Sequence, residues 1–349
     1  MKVGYFTRRW TVHDDRYVAA WSEIADFVAP FAMDGSAPGK YYGETDPYLL
    51  LSQGVDIAHA GPITDVAWQI GNLWEGPLLA AAWGFDLMDE ATHNSELAVR
   101  ASQALRRADS VMVDNVVVAE AAVKLGASPD VIFELPWGVD LTFFTPGNSS
   151  LRQKLGWADE DFIIVSTRKL EPLYRVDILI DAYLELYMHF SNVKLIVAGS
   201  GSMLGFLEQR LAKSVSPDDF VFLGQLGARE LRELYRTANL YISTSPVDGT
   251  SVSMLEAMAC GTPVCVPNIP QNLEWVTPAT GITYVTEDPR DLARVIAQFA
   301  RNRSEMPVVE SQITRSALAM INSRADWSAA PSALEKNAIR AIERNGVVN

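Results

Sequence analysis

Apolar positions along the first 135 residues alternate between two rhythms. Short β-rich apolar runs at residues 3–6, 55–58, 78–82, 110–113 and 131–133 read as strands. Longer stretches separate them, with apolar residues at helical spacing: residues 16–26 (Val18, Trp21, Ile24 and Ala25), 64–71, 94–106 and 117–125. Strand followed by helix, repeated, predicts a parallel sheet covered by helices. Turn residues then interrupt the pattern at Pro136-Trp137-Gly138-Val139-Asp140 and Thr145-Pro146-Gly147. Beyond them it restarts. Strands are predicted at 162–166, 193–198, 220–223, 240–243 and 264–267, and helices at 176–187, 230–237 and 254–259. Two successive α/β units of this kind predict twin Rossmann-like domains whose parallel sheets face a central cleft. The expected division is 1–145, 146–325 and a helical tail 326–349, free to pack on either domain.

Composition narrows the function classes. The chain has 349 residues, which fits two domains. With 29 Lys and Arg against 43 Asp and Glu the net charge is −14. An acidic surface of that kind excludes a broad nucleic-acid-binding face and argues against general adhesion to anionic membranes. No run reaches the ~18–20 apolar residues of a membrane span. The N-terminus turns polar at Thr7-Arg8-Arg9, too early for a signal peptide. Cys260 and Cys265 then read as reduced thiols, and the cytoplasm is the expected location.

The chemistry concentrates in Ser243-Thr244-Ser245-Pro246-Val247-Asp248-Gly249-Thr250-Ser251-Val252, which runs into Ser253-Met254-Leu255-Glu256-Ala257-Met258-Ala259-Cys260-Gly261-Thr262-Pro263-Val264. A strand ends in a Pro- and Gly-containing loop, and a helix starts near Thr250 or Ser251, both good cap residues. Gly261 and Pro263 stop that helix. A helix start at the C-terminal edge of a parallel strand favours anions. Asp248 and Glu256 flank it, and carboxylates suit sugar and ribose hydroxyls. The local pattern alone fits equally a capping Asp248 and a solvent-facing Glu256.

This segment resembles the signature of the large retaining glycosyltransferase family with the GT-B fold, related to sucrose and glycogen synthases. That signature holds two glutamates separated by seven residues, opening E-G-F-G-L and closing L-E-A-M-A-x-G-x-P-V. Leu255 through Val264 match the close in full, while Asp248 stands at the first glutamate and Gly249-Thr250-Ser251-Val252 replace G-F-G-L. Val165-Ser166-Thr167-Arg168-Lys169-Leu170, Val197-Ala198-Gly199-Ser200-Gly201 and Val221-Phe222-Leu223-Gly224-Gln225-Leu226 resemble further family segments. Pro136-Trp137-Gly138-Val139-Asp140 resembles the interdomain P-N-G-V-D, and Trp83-Gly84-Phe85-Asp86 the cleft-facing H-G-x-D. The family's Gly-Gly loop after the first strand is replaced by a stretch from Thr7 to Asp15 that has no glycine.

The resemblance implies a hexosyltransferase-type enzyme that moves a sugar, with retention, from a nucleoside diphosphate sugar to a hydroxyl acceptor. The donor is expected to be a UDP- or GDP-sugar acting as co-substrate, with no cofactor and no metal. The acceptor is a small molecule, glycan or glycolipid. Arg168 and Lys169 are the implied cations on the leaving diphosphate, with Asp248 on the donor sugar. Gly249, Thr250, Ser251, Val252 and Glu256, together with Gln225, Leu226 and Arg175, form the donor side. Trp83, Asp86, Arg9 and His13 form the acceptor side, and Trp83 and Trp137 are candidate stacking faces for sugars. His13, His59, His93 and His189 share no metal-type spacing. The alternative is a non-catalytic GT-B protein that binds nucleotide or sugar as a partner subunit. A nicotinamide dehydrogenase lacks its G-x-G-x-x-G after the first strand.

Overall fold

The computed structural model describes residues 1–37, 46–52, 54–305 and 307–346. The chain forms two units. The first comprises Met1–Pro136, Asp248–Thr250 and Ser328–Asn349; the second comprises Trp137–Val247 and Ser251–Trp327. Among the described residues each is built on one six-stranded parallel sheet.

The first sheet has β1 (Lys2–Thr7), β2 (Phe27–Ala32), β3 (Ile57–Gly61), β4 (Leu78–Ala81), β5 (Ser110–Val113) and β6 (Ile132–Glu134), in the order β2-β1-β3-β4-β5-β6. Every residue of β3, β4 and β5 is buried. A parallel sheet covered on both faces requires such unbroken apolar runs. Helices α1 (Val12–Ser22), α2 (Ser95–Arg107) and α3 (Val116–Leu125) follow strands in the expected manner. Ala101, Leu105 and Val118 join Ala58, Val111 and Val113 in one core.

The second sheet has β7 (Phe162–Ser166), β8 (Val193–Ala198), β9 (Phe220–Gly224), β10 (Leu240–Ile242), β11 (Val264–Pro267) and β12 (Ile282–Tyr284). Its order is β12-β11-β10-β7-β8-β9. The chain winds outward from β7 through β8 and β9, then returns to the other side of β7 with β10. The winding therefore reverses between β7 and β10, and their carboxyl ends are where an open α/β sheet binds ligands. Around this sheet lie α4 (Val176–Tyr187), α5 (Leu204–Ala212), α6 (Ala228–Thr237), α7 (Val252–Ala259), α8 (Pro289–Glu305) and α9 (Pro307–Arg324). The last helix, α10 (Ala330–Asn345), belongs to the first unit, where Arg344 donates to the Asp130 carbonyl at 2.5 Å.

Some elements depart from the sequence expectation. The first helix spans 12–22 rather than 16–26, because a capping box starts it early: Thr11 accepts from the His13 amide at 3.2 Å, and Asp14 accepts from the Thr11 amide at 2.6 Å. Strand β2 carries no sequence signal, since Pro30 lies inside it. Proline is tolerated there because β2 is the sheet edge. Helices α5, α8 and α9 and the edge strand β12 are likewise additional to the expected set.

Candidate active site

In the second unit, the loops leaving β7 and β10 meet through one charged side chain. Arg168 stands two residues beyond β7 and is 8% exposed. Its Nη1 donates to Ser251 Oγ at 2.9 Å, and its guanidinium carbon lies 4.7 Å from the Tyr174 ring centroid. Ser251 is the N-cap residue of α7, yet its hydroxyl makes no cap hydrogen bond there. It accepts from Arg168 instead. Thr244 Oγ1 donates to the Tyr174 carbonyl at 2.9 Å, tying the loop after β10 to the turn that carries the stacking ring. Behind Arg168 the loop after β8 closes in: a Cβ on Gly199 would lie 2.5 Å from the Arg168 carbonyl oxygen, and only glycine has the room.

Glu256 sits one turn into α7. Tyr235, fully buried on α6, donates to Glu256 Oε2 at 3.0 Å and lies 3.2 Å from Thr167 Oγ1. Burial first, and then the Glu256 charge, push the Tyr235 phenol well above its usual range, so it remains a donor. The carboxylate is thus oriented by the protein and is not the solvent-facing group that local pattern allowed. Val252 is half-buried in the first turn of the same helix.

Other donor-side expectations fall differently. Lys169 is exposed. Gln225 is exposed just beyond β9, and Leu226 packs partly buried against the core beneath. Arg175 has φ 47° and precedes α4; its guanidinium pairs with Asp177 at 3.1 Å and with Glu287. That charge is committed to holding a turn. Trp137, expected to offer a stacking face, is 5% exposed and lies parallel to Trp327 at 6.5 Å between ring centroids.

In the first unit, Asp248 is half-buried, while Gly249 and Thr250 are buried. The Thr250 amide donates to Asp114 Oδ2 at 2.6 Å, and Thr250 Oγ1 donates to the Asp114 carbonyl at 2.9 Å. Gly84, with φ +79°, packs so tightly on Gly249 that a Cβ would lie 2.7 Å from the Gly249 Cα. Of the acceptor-side candidates, the structure brings His13 and Trp83 into edge contact at 6.4 Å. Asp86 is fully buried and organises backbone: it accepts from the amides of Ile63 at 2.7 Å, Trp83 at 3.0 Å and Leu87 at 3.0 Å. Burial raises its pKa to about 6 against those three amides. Arg9 is exposed and 3.7 Å from Asp34. Its neighbour Arg8, absent from the sequence expectation, pairs with Asp65 and Glu90 at 2.9 Å each. Tyr174, Tyr235 and Asp114 are likewise additions, the last two acting through partners far away in sequence. Among the described residues no cluster of three His, Cys, Asp or Glu side chains could hold a metal ion, and no helix is long and apolar enough to cross a membrane.

Residues 148–316 match the family model described as Glycosyl transferases group 1. That stretch is similar to a group 1 glycosyl transferase domain. A D-inositol 3-phosphate glycosyltransferase from Saccharomonospora viridis is 28% identical over 273 residues, 72% of this chain and 62% of the relative. A GDP-mannose-dependent monoacylated alpha-(1-6)-phosphatidylinositol monomannoside mannosyltransferase from Corynebacterium glutamicum is 31% identical over 176 residues, 47% of this chain and 46% of the relative. The chain therefore matches less than two thirds of the length of either. Among solved structures, Anabaena Alr3699/HepE in complex with UDP superposes with a TM-score of 0.81 at 17% identity, covering 96% of this chain and 99% of that one. Sucrose-phosphate synthase from Thermosynechococcus elongatus gives 0.78 at 15% identity, covering 96% and 98%. The matched stretch thus sits in a chain with the GT-B fold, as the α/β pattern and signature implied. The matched region contains Arg168, Lys169, Asp248 and Glu256.

Proposed function

We propose that the protein transfers a sugar, with retention of configuration, from a nucleoside diphosphate sugar to a hydroxyl acceptor. The observation that carries this reading is the buried Arg168, held between Ser251 at the start of α7 and the Tyr174 ring. A fixed guanidinium and the N-terminus of a helix together supply two hydrogen-bonding centres for a diphosphate, at the point of the sheet where ligands bind. Their charge is in place before the sugar–phosphate bond breaks, so it stabilises the leaving group without reorganisation. Exposed Lys169 adds mobile positive charge. Glu256, oriented by Tyr235, accepts from the ribose hydroxyls. Asp248 accepts from hydroxyls of the donor sugar. The acceptor hydroxyl attacks the face from which the diphosphate departs, and the departing phosphate takes up its proton.

The donor is a UDP- or GDP-sugar. HepE was crystallised with UDP, and the Corynebacterium relative is named for GDP-mannose. The acceptor is a small molecule, glycan or glycolipid, and the reaction runs in the cytoplasm without a metal or cofactor. A calorimetric panel of UDP, GDP and ADP, followed by donor hydrolysis and transfer assays with the matching sugars, tests the reading. One nucleotide is expected to bind and its sugar to be released or transferred. Tight nucleotide binding with neither hydrolysis nor transfer across the panel would point to a non-catalytic binding subunit and overturn the proposal.

A further inference from the structure

We infer that Asp114 is a positioning residue that clamps the Asp248–Thr250 segment in the geometry needed to hold the donor sugar. This rests on the proposed sugar transfer, in which Asp248 meets sugar hydroxyls. Asp114 directly follows β5 and is 3% exposed. It holds Thr250 twice, through Oδ2 to the amide at 2.6 Å and through its own carbonyl to the hydroxyl at 2.9 Å. Its other carboxylate oxygen accepts from Asn115 Nδ2 at 3.1 Å, and Asn115 in turn caps α3 by accepting from the Val118 amide at 2.9 Å. The clamp is therefore anchored to a strand end and a helix start, both rigid elements. The fit is close: a Cβ on Gly249 would lie 2.1 Å from Asp114 Oδ2. Asp248 lies two residues before Thr250 in this segment, so a displaced Thr250 would move Asp248.

The electrostatics act on the same carboxylate. Burial raises Asp114 to about 7, the Thr250 amide opposes the rise, and the negative charges of Asp248 and Asp86 add to it. Buried Tyr17 on α1 also senses its charge. Above that pH the Thr250 bond is charge-assisted; below it the bond is between neutral groups and weaker. Turnover should therefore fall as the pH drops through about 7.

The test combines amide hydrogen exchange with kinetics on the full chain. Asp114→Ala removes the acceptor, and exchange at Thr250 should rise roughly ten- to hundredfold, as loss of one charge-assisted hydrogen bond implies. The rate of sugar transfer should fall by a similar factor, while affinity for the bare nucleoside diphosphate is kept. Asp114→Asn retains the shape and a neutral acceptor. It should keep partial activity and lose the change in kcat between about pH 6 and 8. It also carries the test if the alanine variant does not fold. Unchanged exchange at Thr250 overturns the clamp, and so does faster exchange with wild-type turnover and pH profile. If the wild-type chain transfers no sugar at all while the variants loosen Thr250, the clamp stands and the proposed function falls.

Discussion

The setting of Arg168 decides what a substitution there can report. A cation directly after the first strand of the second sheet is what a leaving diphosphate needs, but a rim-exposed arginine would contribute little to folding. This one is 8% exposed, bonded to Ser251 and stacked on Tyr174. Arg168→Ala should therefore lower both stability and turnover, and cannot by itself separate the two. Arg168→Lys is the sharper variant. Lysine keeps the charge, yet it lacks the planar fork that donates to Ser251 while lying on a ring. Turnover is expected to drop roughly 10²- to 10³-fold, the usual loss for one fixed donor to a developing charge. The melting temperature should change little. Wild-type turnover in Arg168→Lys would show that the fork is unnecessary. Glu256→Gln probes the other half of the donor. It keeps the Tyr235 contact but loses the charge, and nucleotide affinity should weaken by ~1.5–3 kcal/mol. Calorimetry returning the wild-type constant would remove Glu256 from the ribose.

At the scale of elements, what could be read from sequence follows the strength of the burial signal. Strand β7 is five buried residues, Phe-Ile-Ile-Val-Ser, and such a run admits few alternatives. Strand β2 has Pro30 in its middle, which breaks the signal, and it is held by pairing with β1 and by Ala29 and Phe31 in the core. The donor side was legible where it lies in one continuous segment, from Asp248 to Val264. Tyr235 and Asp114 were not, because their bonds to Glu256 and Thr250 span 21 and 136 positions of chain, and Tyr174 is set against Arg168 by a turn that Thr244 holds from 70 positions away. Nothing local marks such residues. The start of α1 shows the converse, a local signal outweighed in the reading by the apolar pattern that follows it. Thr11 and Asp14 close a capping box there, and the buried Asp14 also accepts from Tyr5 Oη at 2.9 Å. Thr11→Ala should destabilise the protein by ~1–2 kcal/mol, the range for loss of a threonine cap. Chemical denaturation measures this directly. A change within error would mean that Asp14 holds the helix start alone.

For the whole molecule, the buried carboxylates set how stability depends on pH. Asp86 and Asp114 are raised by burial to about 6 and about 7, whereas an unfolded aspartate titrates near ~3.9. Between those values the folded chain binds protons that the unfolded chain has released, so stability falls as pH rises through the window. Other carboxylates act in the opposite sense. Burial disfavours ionised Asp219, but hydrogen bonds from Lys194 and Tyr187 outweigh it and hold the group low. Burial of Asp291 is likewise outweighed by the Val285 amide and Arg294. Their contribution is present above the unfolded pKa and is lost in acid. The two sets together place maximum stability near the unfolded carboxylate value, at about pH 4, below the window in which Asp86 and Asp114 ionise. Net charge reinforces the decline on the alkaline side, because a chain at −14 near pH 7 repels itself more than one near its pI of 4.8. Calorimetric melting temperatures are therefore expected to fall steadily from about pH 5.5 to 8, and Asp114→Asn should flatten part of that slope by removing one titrating group. A wild-type melting temperature that rose over the same range would mean that Asp86 and Asp114 ionise in the folded chain as easily as in the unfolded one. The Asp114 variant isolates the clamp's share of the slope from that of net charge, since a single neutralised side chain changes the overall charge only slightly.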